Sequence, residues 1–415
     1  MPSFQATAAF LGVLLIVGAL ASGLAQRSFL SLAALFVLAG FAVGDGGLQL
    51  VSFQARSGFV EDLAFVALIV ILFRDGLEVE GEMLQRAWHL PLRKLAIAMP
   101  ITAGIVALAA HLLVGLSWTE SLLLGALLSP TDPVLTSNIV TNPRVPRLVR
   151  HSLNLESGLN DGLALPAVLT FLAALSSESQ HFVWWRFVLQ DVGLGFLYGL
   201  AIGYLASLLM PSESKRPLGH PIPSHQKSLY ALGIAFATYG ATVLSPKGNG
   251  FIAVFVAAIV LGLRRPDLRR HFEQRADEIV EIVKLGIFVV FGSLLTLDAL
   301  ESSGWAALGL VAATFLIARP VAVWVALLGT DTDGQTRLFM GWFGPKGVAT
   351  MTFSLLVLDQ HIAHGERIFD LTALVVFCSI AAHGLTDTPG ANWIARRSEI
   401  GGISDRPAER TARAR

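Results

Sequence analysis

Two short segments in the first half of the chain gather the side chains best suited to holding a proton or a small cation. Ser129-Pro130-Thr131-Asp132-Pro133 interrupts an apolar run that begins near Leu122, and Asn154 to Gly162 sets Glu156, Ser157, Asn160 and Asp161 inside another. Pro130 and Pro133 cannot both lie within a regular helix, because each removes a backbone donor and crowds the preceding turn. Irregular backbone at membrane depth persists only where protein buries it or it lines a watery cavity. Thr131 and Asp132 are therefore expected at a helix break, with Pro133 opening a new half-helix. Carboxylates inside apolar runs are costly and point to function.

Helix geometry separates the two acids of the second segment. At roughly 100° per residue, Glu156 and Asp161 lie about 140° apart and cannot face one cavity equally. Asp161 shares a face with Ser157, and Ser157 with Asn154, while Glu156 shares another with Asn160. Asp161 and Ser157 are expected to look at a solvated site, and Glu156 into protein, where it needs a cationic partner. The alternative places both acids near a helix end in interfacial water.

Composition sets the class in which this chemistry must operate. With 54% of 415 residues hydrophobic and 14% charged, the chain is neither a soluble globular domain nor a disordered one, but a polytopic membrane protein. A formal net charge of zero argues against a nucleic-acid partner. Cys378 is the lone cysteine, so no intrachain disulfide forms. No basic region precedes the first apolar run, which reads as a membrane helix and not a cleaved signal. The polar, Arg-rich stretch 389–415 is expected to be a disordered cytoplasmic tail after a membrane domain covering 1–388.

Thirteen spanning runs begin near Ala6, Ser28, Asp62, Leu95, Leu122, Val149, Phe187, Leu229, Phe251, Ile279, Trp305, Leu338 and Ile368. With the N-terminus outside, nearly all loop cations fall inside: Arg27, the group Arg86, Arg93 and Lys94, the arginines of 144–150 and 264–275, and those of the tail. Only Arg56, Arg186, Lys247 and Arg367 fall outside. That bias predicts a cytoplasmic C-terminus in a bacterial-type inner or plasma membrane. Arg74, Lys284, Arg319 and Lys346 lie within apolar runs. Arg319 is far from either helix end, and Glu156 is its natural partner, since neither charge is tolerable alone in a dry interior. Lys284 either snorkels to its helix end or reaches the cavity, and Arg74 can pair with Asp75.

Lys346 belongs to a second break, Gly344-Pro345-Lys346-Gly347, inside the twelfth run. The two interruptions occupy corresponding places if 6–175 and 229–388 are six-helix repeats of opposite orientation joined by a linker helix at about 187–209. The fold expected is thus all-α, with thirteen transmembrane helices, two inverted repeats and discontinuous helices crossing at a midplane site. Asp132 and Lys346 would neutralise the exposed ends of the crossing half-helices.

An acid at Asp161, hydroxyls at Ser157 and Thr131, and carbonyls freed at the break make an oxygen-only site. It suits an alkali cation and not a soft metal, and needs no cofactor. A carboxylate out of water can be neutralised by a proton or by a cation, so the two compete for one group. With Asn160 and not a second acid beside Asp161, the residues favour exchange of one cation for one proton, without net charge.

The segments Pro130-Thr131-Asp132-Pro133-Val134 and Glu156 to Gly162, with Ala318-Arg319-Pro320 and His383-Gly384-Leu385-Thr386, resemble monovalent cation:proton antiporters of the NhaP type. The likeness runs through essentially the whole membrane region. It implies an antiporter fold of the NhaA and NhaP kind, with a mobile core domain and a homodimer. It implies that Asp161 carries ion and proton, that Asn160 is the Asn of an Asn-Asp pair, and that Thr131, Asp132 and Ser157 supply ligands or shape the site. Glu156 with Arg319 would be a core ion pair. Two departures stand out. Relatives commonly read Phe-Glu-Gly-Gly-Leu where this chain has Phe73-Arg74-Asp75-Gly76-Leu77, which leaves the role of Asp75 open. They often carry Arg where it has Lys346, which keeps the charge and loses the bidentate geometry.

Other classes fit less well. An intramembrane aspartyl protease needs two carboxylates sharing a proton, and its Gly-x-Gly-Asp signature is absent from the sequence. A passive channel needs a continuous polar path, whereas the polar residues cluster at one depth. A cation-coupled solute symporter on the same fold is the serious alternative. The residues leave open whether Na+, Li+ or K+ is moved.

Overall fold

Segments dominated by Leu, Ala, Val and Phe leave the backbone no hydrogen-bond partner but itself in an apolar surrounding, and helices satisfy it. The computed structural model describes residues 32–51, 57–79, 89–132, 136–176, 183–210, 223–244, 248–296, 304–360 and 362–400, with Gly12, Val13, Ile16, Leu20 and Phe53. Among the described residues there is no strand. The first apolar run, near Ala6, falls almost wholly outside them, as do Arg86, Pro133 and the tail beyond Ile400.

In chain order the helices are α1 Leu32–Val43, α2 Gly58–Glu78, α3 His89–Val114, α4 Trp118–Leu127, α5 Ser137–Thr141, α6 Arg147–Leu175 and α7 Trp184–Leu209. They continue as α8 Ser224–Leu244, α9 Gly250–Arg264, α10 Pro266–Ser293, α11 Gly304–Ala326, α12 Gly334–Trp342, α13 Val348–Asp359 and α14 Gly365–Ile400. By length and composition α3, α6, α7, α11 and the Gly365–Arg397 part of α14 can each cross a membrane. The SPTDP segment separates α4 from α5, and the GPKG segment separates α12 from α13.

Two boundaries differ from the sequence reading. The last helix does not stop at residue 388 but runs through Pro389 to Ile400. Ala391, Ile394 and Ala395 are buried there, Trp393 stacks on Phe339, and Arg397 donates to Asp333 at 3.0 Å. Local composition suggested a tail because these anchors lie on α12 and the residue before it, far away in sequence. Lys94, which the charge pattern assigns to an inside connection, lies within α3 with a fully buried side chain.

Close helix packing follows small residues. A Cβ at Gly195, Gly199 or Gly203 of α7 would meet the carbonyl oxygens of Asn249, Ala253 and Ala257, at and along α9, within 2.6–2.7 Å. α2 runs through the middle, with every side chain from Ala67 to Phe73 at most 3% exposed. The outer surface is apolar: Leu112, Leu209 and Leu316 are each more than 60% exposed, and Trp305 is 89% exposed, a surface that only lipid or a partner can cover.

The α7–α9 seam can be tested directly. Gly199→Val should force the backbones apart and cost about 1–3 kcal/mol, as overpacking does. Thermal unfolding in detergent should show a lower midpoint, and an unchanged midpoint would place the seam elsewhere.

Candidate ion-binding site

Each break supplies what the other lacks. At the first, Ser129 Oγ donates to Ala126 O at 3.0 Å, which accounts for one carbonyl of the last turn of α4. Thr350 Oγ1, from α13, donates to Leu127 O at 3.1 Å, and Lys346 Nζ donates to Pro130 O at 3.1 Å. In return the Asp132 N–H donates to Pro345 O at 2.8 Å. Asp132 Oδ2 accepts the Val348 N–H at the start of α13, at 3.4 Å. A carboxylate thus sits at a helix N-terminus and an ammonium at the carbonyl end of the facing half-helix, both favourable against the helix dipoles. The approach is close: a Cβ at Gly347 would stand 2.0 Å from Asp132 Cβ, so only glycine fits there. The Lys346 N–H is taken up by Ser379 Oγ of α14, at 2.9 Å. His383, buried one turn further on, donates from Nε2 to Trp342 O at 2.9 Å and so ties the end of α12 to α14.

Beside this crossing, α6 presents two faces with different duties. Asn160 is 2% exposed, and its amide Nδ2 donates to Thr131 O at 2.8 Å and to Thr131 Oγ1 at 3.0 Å. The carbonyls of Pro130 and Thr131, expected to be free for a cation, are therefore already engaged by Lys346 and Asn160. One turn back, Glu156 Oε1 accepts from Arg319 Nη1 at 3.0 Å, and Oε2 accepts from Arg319 Nη2 at 3.2 Å and from Lys94 Nζ at 2.6 Å. Arg319 lies across the second break, where a Cβ on Gly344 would come within 1.8 Å of its Nε.

Asp161 is treated differently. It is 5% exposed, and among the described residues its carboxylate accepts no hydrogen bond. Asp75, Asp132, Lys284 and Lys346 are near enough to act on its charge. Asp75 is buried on α2, and Lys284, 9% exposed on α10, is near enough to act on the charge of both acids. Ser157 is half-buried on the same face of α6 as Asp161. Arg74 reaches Glu78 at 2.7 Å, one turn along, more closely than Asp75 at 3.6 Å. Thr131 also lines a small cleft with Thr136, Leu153, Phe343, Gly344 and Pro345, which opens at the crossing. Asp161 is thus a buried acid with charged neighbours of both signs and, among the described residues, no hydrogen bond to its carboxylate.

Comparison with known proteins then decides the family. The family model described as the transmembrane sodium/hydrogen exchanger matches residues 11–393. The chain belongs to the sodium/hydrogen exchanger family. It is accordingly an integral, multi-pass membrane protein. The K(+)/H(+) antiporter NhaP of Alkalimonas amylolytica is 25% identical to it over 397 residues, covering 95% of this chain and 68% of that one. The K(+)/H(+) antiporter NhaP2 of Shewanella oneidensis is 28% identical over 385 residues, covering 91% of this chain and 65% of that one. This exchanger chain therefore spans about two thirds of the length of these curated relatives. Its fold matches the sodium proton antiporter MjNhaP1 of Methanocaldococcus jannaschii with a TM-score of 0.81, at 19% identity, over 95% of this chain and all of that one.

Sequence reasoning missed Lys94 because it stands only one residue past Arg93, at the end of a charged stretch that reads as a loop. The available signal was Pro100. A π turn over Lys94–Ala98 lies just before it, as a π turn over Ala313–Ala318 lies just before Arg319 and Pro320. Proline withholds the donor that would close the preceding turn, and the widened turn re-aims a side chain.

Three substitutions separate the members of the triad. Glu156→Gln leaves two buried cations facing each other and should cost about 3–5 kcal/mol. Arg319→Gln or Lys94→Met leaves Glu156 with one cation and should cost less. Equal losses in thermal unfolding for all three would show that the two cations do not share the carboxylate.

Proposed function

We propose that this chain exchanges a monovalent alkali cation, Na+, Li+ or K+, for a proton across the membrane, one for one and without net charge movement. The observation that carries the reading is Asp161: a buried carboxylate without a hydrogen-bond partner among the described residues, beside two crossing helix breaks. Glu156, by contrast, is committed on both oxygens and is a structural ion pair in this reading. The NhaP and NhaP2 relatives are named for K+ and MjNhaP1 for sodium, and both ions stay open for this chain.

The charges around the breaks support an electroneutral cycle. Asp75, Asp132, Glu156 and Asp161 are matched in number by Lys94, Lys284, Arg319 and Lys346, all nine-tenths or more buried. With Asp161 ionised and empty these groups balance. A proton or an alkali cation each adds one positive charge, so the two loaded states carry the same charge. Ser157 and, beyond its bonds to Asn160, Thr131 would complete the cation's oxygen shell, with Asp132 shaping the break. In the arrangement we propose, thirteen helices form two inverted repeats with the N-terminus outside and the C-terminus cytoplasmic. Two copies assemble, and the site opens to each side in turn.

Two measurements test this. Asp161→Asn should abolish exchange in everted vesicles while leaving expression and unfolding temperature near the parent's, and residual pH-driven cation exchange in the purified variant would refute the carrier assignment. Exchange by the parent in proteoliposomes should not change when a membrane potential is imposed. A rate that follows voltage would point instead to Lys284 as a second group that gains and loses a proton.

A further inference from the structure

We infer that Lys94 is a positioning residue for the exchange reaction, setting the roll of α6 and through it the direction of Asp161; the inference rests on the antiport reading above. Its Nζ grips α6 at two points one turn apart, Glu156 Oε2 at 2.6 Å and the backbone carbonyl of Ser152 at 3.2 Å. Asn160, a further turn along the same stripe, is fixed to Thr131 at the first break. Residues 152, 156 and 160 recur every four positions and so lie on one face of the helix. Contacts at three successive turns prevent the rotation that a single contact would allow. Asp161 follows Asn160 directly, and its position around the helix axis is settled by that same grip.

Neutralising Glu156 alone does not account for Lys94, although its charge enters the balance of the whole buried set. Arg319 meets Glu156 through two nitrogens and already balances that carboxylate. The ion pair itself does not need a second cation so close, and a fully buried ammonium is costly to keep. Its value must lie in what it holds. The π turn that begins at Lys94 agrees with this, since such turns mark places where a helix departs from regularity to aim a side chain.

The test is a comparison of apparent KM for the transported cation in proteoliposomes, using the parent, Lys94→Met and Lys94→Gln, with Asp161→Asn as the silent control. KM does not depend on how much protein has folded, so a purely structural role would leave it unchanged. Lys94→Met should raise KM about tenfold, the lower end of what loss of a residue supporting a cation ligand does, with a smaller change in maximal rate. Lys94→Gln, whose amide can still donate to Ser152 O, should fall between. Parent KM in Lys94→Met, even with a lower unfolding temperature, overturns the inference. If Lys94→Met yields no folded protein, Lys94→Gln decides: a raised KM supports the inference and parent KM overturns it. A parent that exchanged none of Na+, Li+ or K+ for protons would overturn the antiport reading and this inference together, whereas active exchange with unchanged KM in both variants overturns this inference alone.

Discussion

The structure depends on the mutual completion of two broken helices. An interrupted helix leaves carbonyls at one end and N–H groups at the other, and in an apolar interior neither finds water. Here the Asp132 N–H meets Pro345 O and the Lys346 ammonium meets Pro130 O. Removing either segment would strand the other, so the two breaks must be kept as a pair. The glycines flanking Lys346 serve the same end: Gly344 leaves room for the Arg319 guanidinium and Gly347 for the Asp132 side chain.

From this crossing the buried charges sort themselves by what they can still do. Glu156, Lys94 and Arg319 satisfy one another, and Asp132 and Lys346 are spent on the half-helix ends. Asp161 has charges about it but, among the described residues, no hydrogen bond to its carboxylate, which is what the proposed carrier role asks of it. An interior carboxylate with a full set of donors would be a poor carrier, because a cation would have to displace each of them. The adjacent positions 160 and 161 thus divide the labour: the amide closes the break and the acid stays available.

Much of this was legible in the sequence. Prolines and glycines inside apolar runs located both breaks, and the period of a helix separated Glu156 from Asp161. Isolation in its run singled out Arg319 as needing a carboxylate. What stayed hidden was anything decided by distant packing. Lys94 read as a loop cation because charge clusters usually lie in loops, and only the docking of α3 against α6 buries it. Asn160 shares a helix face with Glu156, but nothing local says that its amide spans to Thr131. Residues 389–400 read as tail because their apolar positions are sparse, and they order against Phe339 and Asp333.

The two faces of α6 look toward different neighbours, and that bears on how the proposed site would open to each side in turn. Ser152, Glu156 and Asn160 bind α3, α11 and the first break. Asp161 instead answers charges that α2 and α10 carry at Asp75 and Lys284, and Gly162 beside it lies against Phe255 of α9. Hydrogen bonds and ion pairs on the first face make those elements one body, whereas the second face meets its neighbours through apolar contact and through charge acting at a distance. Apolar contact is non-directional and tolerates sliding, and long-range charge changes slowly with displacement. A carboxylate at such a seam can stay within the field of Lys284 and Lys346 while the helices on either side shift past one another. In the exchange reaction proposed above, the acid that would have to meet both aqueous phases thus stands where the packing resists movement least.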